Sequence, residues 1–317
     1  MAKKIIIDTD PSIDDAMTLL FALAAPELAV VGLTTIFGNV ETPLATRNAL
    51  HLLEFADQSH IPVAQGAERP LHVTFHGPAT FVHGTDGLGE THQAPPTTKP
   101  VAPSAAQFIV ETIMGAPGEI TLVPVGPLTN IALALMLEPR IVQNVAEVVI
   151  MGGAATVNGN VNPAAEANMY NDPHAADLVF TAGWPITMVG LDVTTKVLMA
   201  EPYLAALCAP GRKTGAYIYD IVRFYLQFHQ HTHQIYAAHT HDPSAIAYLI
   251  DPTLFHTAKG AIRVTTEGIA RGHTLMDRRG HWSRPNEWST HLPVNVCLDV
   301  DAERLLALYQ ERILAAP

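Results

Sequence analysis

The chain has 317 residues, 48% hydrophobic and 15% charged, with a formal net charge of −12. That apolar content is ample for one large core, and a single domain over 1–317 is expected. An acidic chain with no long Lys/Arg run repels phosphate backbones, so nucleic acid is excluded as an expected partner.

The first apolar stretch, Ile5-Ile6-Ile7, is too short for a secretory signal. It reads instead as a strand at 4–8, contiguous in Ile because both faces are covered. Residues 15–25 read as a helix rich in Ala, Leu and Met, stopped by Pro26. A strand at 28–35 and a helix at 44–55 follow. A stretch rich in Pro, His, Thr and Gly occupies 66–103. A helix at 104–114 then leads to a strand at 120–125, and a helix at 128–137 to a strand at 146–151. Pro124, Gly126 and Pro127 interrupt the uncharged run 120–137, so no membrane span or membrane partner is expected. A second loop-like stretch, rich in Gly, Asn and Ala, fills 152–171. A helix at 172–181 has Asp172 as N-cap and Pro173 at its first position, and a strand follows at 185–189. Helices at 214–233 and 243–250, strands at 261–265 and 294–298, and a helix at 302–315 complete the chain. This alternation predicts an α/β fold, a mostly parallel central sheet flanked by helices on both faces. Two cysteines, Cys208 and Cys297, form no metal spacing or disulfide framework, and a cytoplasmic location is expected.

Asp8, Asp10, Asp14 and Asp15 place four carboxylates in eight residues directly after the first strand. Ligands bind at the carboxyl ends of parallel strands. Four like charges together are costly unless a cation neutralises them. Oxygen donors without Cys suit a hard ion, Ca²⁺ or Mg²⁺. A turn with helix caps would explain one or two of these acids but not four. Asp-x-Asp after an Ile-rich strand also resembles the nucleophile loop of haloacid dehalogenase-type phosphatases. That family usually has Thr or Val two residues after its second Asp, where Ser12 stands here, and it needs a distant acidic pair.

A second resemblance spans the whole chain. The run from Asp8 to Ala16 resembles the signature of the inosine-uridine nucleoside hydrolase family. Gly38-Asn39, His83-Gly84-Thr85-Asp86-Gly87-Leu88-Gly89, Gly126-Pro127-Leu128-Thr129-Asn130 and Met151-Gly152-Gly153 are similar to further blocks of that family. So are Asn160, Glu166-Ala167-Asn168, Asp172-Pro173 and His241-Asp242-Pro243, in the same order. The resemblance implies a Rossmann-like fold and Ca²⁺-dependent hydrolysis of the bond between ribose and nucleobase. Its implied metal ligands are Asp10, Asp15, Asp242 and the backbone carbonyl of Val125. Asp14, Asn160, Glu166 and Asn168 are implied to grip ribose, with Asn39, His83, Met151 and His239 completing the nucleoside site. Metal-bound water is the nucleophile, with Asp10 implied as general base; His241, beside the proposed ligand Asp242, is the candidate general acid on the leaving base, with His83 and His239 as the alternatives. A homodimer or homotetramer is implied as well. A nucleoside-binding protein without turnover is the alternative, and the intact pair Asp10 and His241 argues against it.

Five histidines, His229, His231, His233, His239 and His241, fall within 228–242. They read as a base-facing wall, with Tyr225, Phe228 and Tyr236 as stacking candidates. Two positions depart from the family pattern. Ser12 replaces Gly, which predicts a slightly altered turn. Ala167 replaces Phe, which predicts a looser pocket near the ribose 5′ side.

Overall fold

The structure is a computed structural model that describes residues 2–208, 211–279 and 283–316, with the side chain of His233 outside it. Chain order begins with β1 (Lys3–Thr9), α1 (Ile13–Ala24), β2 (Leu28–Thr35), α2 (Thr42–Phe55) and β3 (Val63–Gln65). It continues with α3 (Thr80–His83), α4 (Ala105–Gly115), β4 (Ile120–Pro124), α5 (Thr129–Leu137), α6 (Ile141–Asn144) and β5 (Glu147–Met151). Next come α7 (Ala167–Asn171), α8 (Pro173–Thr181), β6 (Ile186–Val189), α9 (Leu191–Thr194), β7 (Leu198–Ala200), α10 (Glu201–Ala206), α11 (Lys213–His233), β8 (Ala237–His239) and α12 (Pro243–Ile250). The last elements are β9 (Phe255–Val264), β10 (Thr274–Asp277), β11 (Val294–Val300) and α13 (Ala302–Ala315).

Among the described residues, nine strands form one sheet in the order β10-β9-β11-β6-β5-β4-β1-β2-β3. Every pairing from β3 to β11 is parallel, and only β9 and β10 extend the edge antiparallel. β7 and β8 pair separately. The expected mostly parallel sheet with flanking helices is therefore observed.

β1 shows why a contiguous Ile run is needed. Successive side chains of a strand point to opposite faces. Ile5 and Ile7 enter one core with Met17 and Phe21 of α1, Leu226 of α11, Ile246 of α12 and Tyr309 of α13. Ile6 enters the other, with Ile109 of α4, Ile131 of α5 and Val179 of α8. All three are fully buried, which contributes about 2 kcal/mol for each side chain. Among the described residues, no helix is long and apolar enough to cross a membrane.

Asp172 caps α8 by accepting from the backbone N–H of Ala175, and Pro173 opens the helix, as its sequence predicts. Its other oxygen accepts from Thr129 Oγ1 at 2.7 Å and from Leu71 N at 2.9 Å. One helix cap thus anchors the segment after β3 to the start of α5.

Some bounds differ from expectation. α1 starts at Ile13, two residues early, because Ser12 already serves as its N-cap. The strand expected at 261–265 begins at Phe255, where alternating exposed polar residues hide it from an apolar-run reading. β3, β7, β8 and β10 are three or four residues long, too short for a visible period. α3 and α7 are short helices inside the two expected loops.

Asn130, fully buried in α5, ties three segments together. Its Nδ2 donates to Asp8 Oδ1 at 2.8 Å and to the Thr35 carbonyl at 3.0 Å, while its Oδ1 accepts from Ala67 N at 2.9 Å. Asn130→Ala strands these groups in a dry interior, and we expect it to lower unfolding free energy by about 3 kcal/mol. Urea titration of wild type and variant checks this, and a loss below about 1 kcal/mol would show that water replaces the amide.

Candidate active site

The strand order reverses at β1. The chain moves from β1 to β2 and β3 on one side, then crosses back to β4 on the other. The crevice outside the carboxyl ends of β1 and β4 is the switch point where open α/β sheets bind ligands. The acidic run 8–15 emerges there.

Each acid is held by named donors. Asp15 Oδ1 accepts from Thr9 Oγ1 and from Asp10 N, and its Oδ2 accepts from Ser12 N at 3.1 Å and Ser12 Oγ at 2.9 Å. Ser12 Oγ also lies 2.9 Å from Asp14 Oδ1 and accepts from Asn39 Nδ2 at 3.1 Å. Ser12, which stands in place of the family glycine, has unstrained backbone. Its φ of −117° and ψ of −159° are extended backbone open to any residue, and its hydroxyl joins the acid network. Asp8 turns away from this group, toward Thr34 Oγ1 and Asn130.

Asp10 is seated most closely. Its Oδ2 accepts from Asn39 N at 2.5 Å, while its buried Oδ1 has no hydrogen-bond partner. A Cβ at Gly38 would stand 2.1 Å from Oδ2, and one at Gly126 would stand 2.6 Å from Oδ1. The carboxylate therefore fits between two glycines, which gives a physical reason for both glycine blocks in the sequence.

Asp242, at the start of α12, joins from the far end of the chain. Carboxylate oxygens of Asp14, Asp15 and Asp242 lie within 4.8 Å of one another, all buried. Asp14, expected on ribose, thus stands with two of the four expected metal ligands, Asp15 and Asp242. Asp10 is tied to them through its backbone N–H, which donates to Asp15 Oδ1 at 3.2 Å, and its carboxylate is not one of the three that converge. Burial, reinforced by neighbouring carboxylates, pushes Asp10 and Asp242 well above the usual carboxylate range. The same causes raise Asp15 to about 6. Burial alone takes Asp8 to about 7 against the hydrogen bonds from Thr34 and Asn130.

The segment after β5 supplies a second group. Glu166 Oε2 accepts from Gly153 N at 2.9 Å and Met169 N at 3.2 Å, and its Oε1 accepts from Asn168 N at 2.9 Å. Burial raises its pKa against these donors. Asn168 Nδ2 donates to the carbonyls of Val125, at 2.8 Å, and Met151, at 3.2 Å. These bonds join the ends of β4 and β5. Asn160 is exposed, and its Oδ1 accepts from Ala167 N at 3.0 Å.

Aromatic rings form the third group. His83 Nδ1 lies 3.9 Å from Asp14 Oδ1, and its ring stacks on Tyr225 at 5.5 Å between centroids. Tyr225 meets His229 at 4.3 Å, His229 meets His239 at 4.8 Å, and His239 meets His241 at 5.3 Å. Burial lowers the His83 pKa, opposed by Asp14. Burial, reinforced by the charges of Asp14 and Asp242, raises the Tyr225 phenol well above its ordinary value. Of the other candidates, Phe228 stacks on Tyr225, while His231 and Tyr236 are exposed and the His233 side chain lies outside the described residues. Thr194 is a contributor absent from the sequence reading, with Oγ1 2.8 Å from His241 Nδ1.

Buried acids, a hydrogen-bonding loop and a ring wall at one switch point define a hydrolase of the nucleoside-cleaving kind when joined with sequence comparison. The chain belongs to the inosine-uridine preferring nucleoside hydrolase family, whose sequence model matches residues 5–307. It is an N-glycosyl hydrolase acting on nucleosides, which removes the phosphatase reading. It is 48% identical over 314 residues to the probable uridine nucleosidase 2 of Arabidopsis thaliana, covering 98% of each chain. It is 39% identical to the inosine-uridine preferring nucleoside hydrolase of Leishmania major, covering 95% of this chain and 98% of that one. A solved plant nucleoside hydrolase superposes with a TM-score of 0.97 at 46% identity, covering 100% of both chains.

The seat of Asp10 gives a direct test. Gly38→Ala is expected to displace the Asp10 carboxylate and lower kcat/KM for a nucleoside about 10²-fold. Assays run beside an unfolding curve that shows the variant folded, and an unchanged kcat/KM would contradict the close fit.

Proposed function

We propose that the chain hydrolyses ribonucleosides to ribose and free base, with uridine the first substrate and inosine the second. The observation that carries this is the meeting of Asp14, Asp15 and Asp242 at the switch point, with the Asp10 backbone bonded to Asp15. The names of the Arabidopsis and Leishmania relatives support the substrate order.

The donor set fits a hard divalent cation. It is all oxygen, it is buried, and Asp10 Oδ1 lacks a partner. Asp10, Asp15, Asp242 and the Val125 carbonyl would hold Ca²⁺. When bound, the ion supplies positive charge that lets the acids ionise together and makes a neighbouring water more acidic. Asp10 takes a proton from the attacking water as it adds to the anomeric carbon. The carbon–nitrogen bond breaks, and its electron pair leaves with the base. The negative field of Asp10, Asp14 and Glu166 favours the positive charge that develops on the sugar. Asp14, Glu166, Asn168, Asn160 and Asn39 orient the ribose hydroxyls, with the Met151 backbone lining the same side. His83, Tyr225 and His239 face the base, and His241 delivers a proton to it.

Uridine and inosine, incubated with the enzyme, should release free base, losing at least 10²-fold in rate in EGTA and regaining it with added Ca²⁺. No base release from either nucleoside at any metal concentration would overturn the reading.

Ion and proton binding are linked. Carboxyls with raised folded pKa stabilise the protein below their unfolded pKa near 4 and lose that stabilisation as pH rises. Here the loss runs through about 6 for Asp15 and about 7 for Asp8. In EGTA, Tm should therefore fall from pH 5 to pH 8, and the rise in Tm on adding Ca²⁺ should be larger at pH 8. Equal Ca²⁺ shifts at both pH values would contradict the proposed ligand set.

A further inference from the structure

α9 is a four-residue helix that follows β6 at the carboxyl end of the sheet. Both of its polar side chains, Asp192 and Thr194, are fully buried. They reach two different parts of the site. Thr194 Oγ1 lies 2.8 Å from His241 Nδ1. Asp192 Oδ2 accepts from Ala155 N at 2.8 Å, and its Oδ1 accepts from Thr156 N at 2.8 Å and Thr156 Oγ1 at 2.5 Å. Ala155 and Thr156 begin the segment that continues to Asn160, Glu166 and Asn168.

The backbone of α9 is fixed as well. Leu191 N donates to the Gly153 carbonyl at 2.8 Å, and Val193 N and Thr194 N donate to the Gly190 carbonyl at 3.1 Å. A Cβ at Gly190 would stand 2.6 Å from the Gly153 oxygen, so this approach needs glycine. The helix is thus fastened to the end of β5, where the ribose segment starts.

We propose that α9 positions both halves of the reaction centre, Thr194 by setting the imidazole of His241 and Asp192 by setting the ribose-binding segment. The first half rests on the reading of His241 as proton donor to the base. The hydrogen bond at one ring nitrogen fixes the role of the other. A ring held through Nδ1 exchanges a proton with the base only through Nε2. Valine keeps the shape of Thr194 and removes the oxygen, so the ring loses its anchor. Serine keeps the oxygen. Asp192 acts differently: its charge-assisted bonds hold backbone, so its loss loosens the grip on the sugar whatever the leaving group.

The experiment measures kcat and KM on uridine and on p-nitrophenyl β-D-ribofuranoside, whose nitrophenolate departs without a proton. His241→Ala serves as the reference. Thr194→Val should lower kcat on uridine roughly 10²-fold and leave kcat on the nitrophenyl riboside within about twofold. Thr194→Ser should restore most of the uridine rate. Asp192→Asn should raise KM about tenfold on both substrates. If His241→Ala is selective for uridine but Thr194→Val is silent, or slows both substrates alike, the role of Thr194 is overturned alone. If His241→Ala slows both substrates alike, the reading of His241 falls and that of Thr194 falls with it. An unchanged KM in Asp192→Asn overturns the second half.

Discussion

Carboxylates buried side by side repel one another, and the architecture of this site is a response to that repulsion. Asp14, Asp15 and Asp242 bring buried oxygens within 4.8 Å of one another, with the Asp10 backbone bonded to Asp15. The charges that weigh most on these acids are other acids. Such a group stays in place only if each member is held from outside. Thr9 and Ser12 hold Asp15, Asn39 holds Asp10, and β1 is pinned between β2 and β4 with its three isoleucines buried in two cores. The stiffness lies in the sheet, and the charge is carried just beyond it, on Asp10 of the loop, on Asp14 and Asp15 in the first turn of α1 and on Asp242 at the start of α12.

Topology explains how distant residues meet. β1 has neighbours drawn from both halves of the sheet, so its carboxyl end adjoins the ends of β2 and β4. Asn39 arrives after β2, Val125 after β4, and Glu166 and Asn168 after β5. Asp242 arrives at the start of α12, which contacts α1 in the same core as Ile5 and Ile7. Asn168 bonds the backbone after β4 and at the end of β5, so the segment after β5 is fastened to both strand ends. Groups fixed to rigid strand ends need little reorganisation when charge develops on a substrate.

Much of this was legible from residues alone. β2 runs over the expected 28–35, because a β-branched run between Pro26 and Gly38 leaves few alternatives. The acids at the end of β1 stood out as four charges on an apolar strand end, of which Asp8 lies within the strand and turns to Thr34 and Asn130 while the others remain at the crevice. Asp172 and Pro173 announced a helix start by side-chain chemistry. Other parts were hidden for identifiable reasons. Three-residue strands such as β3 and β8 carry no period. Thr194 and Asp192 sit in an ordinary Leu-Asp-Val-Thr run, and only the fold brings one to His241 and the other to Ala155. Ser12 departs from the family glycine, and its extended backbone shows that this chain does not need glycine at position 12.

The central claim concerns one shared centre, and diffraction from crystals grown with Ca²⁺ tests it most directly. The account predicts a single anomalous peak touching Asp10, Asp15, Asp242 and the Val125 carbonyl. A peak elsewhere, or an empty crevice with these acids turned apart at saturating Ca²⁺, would contradict it.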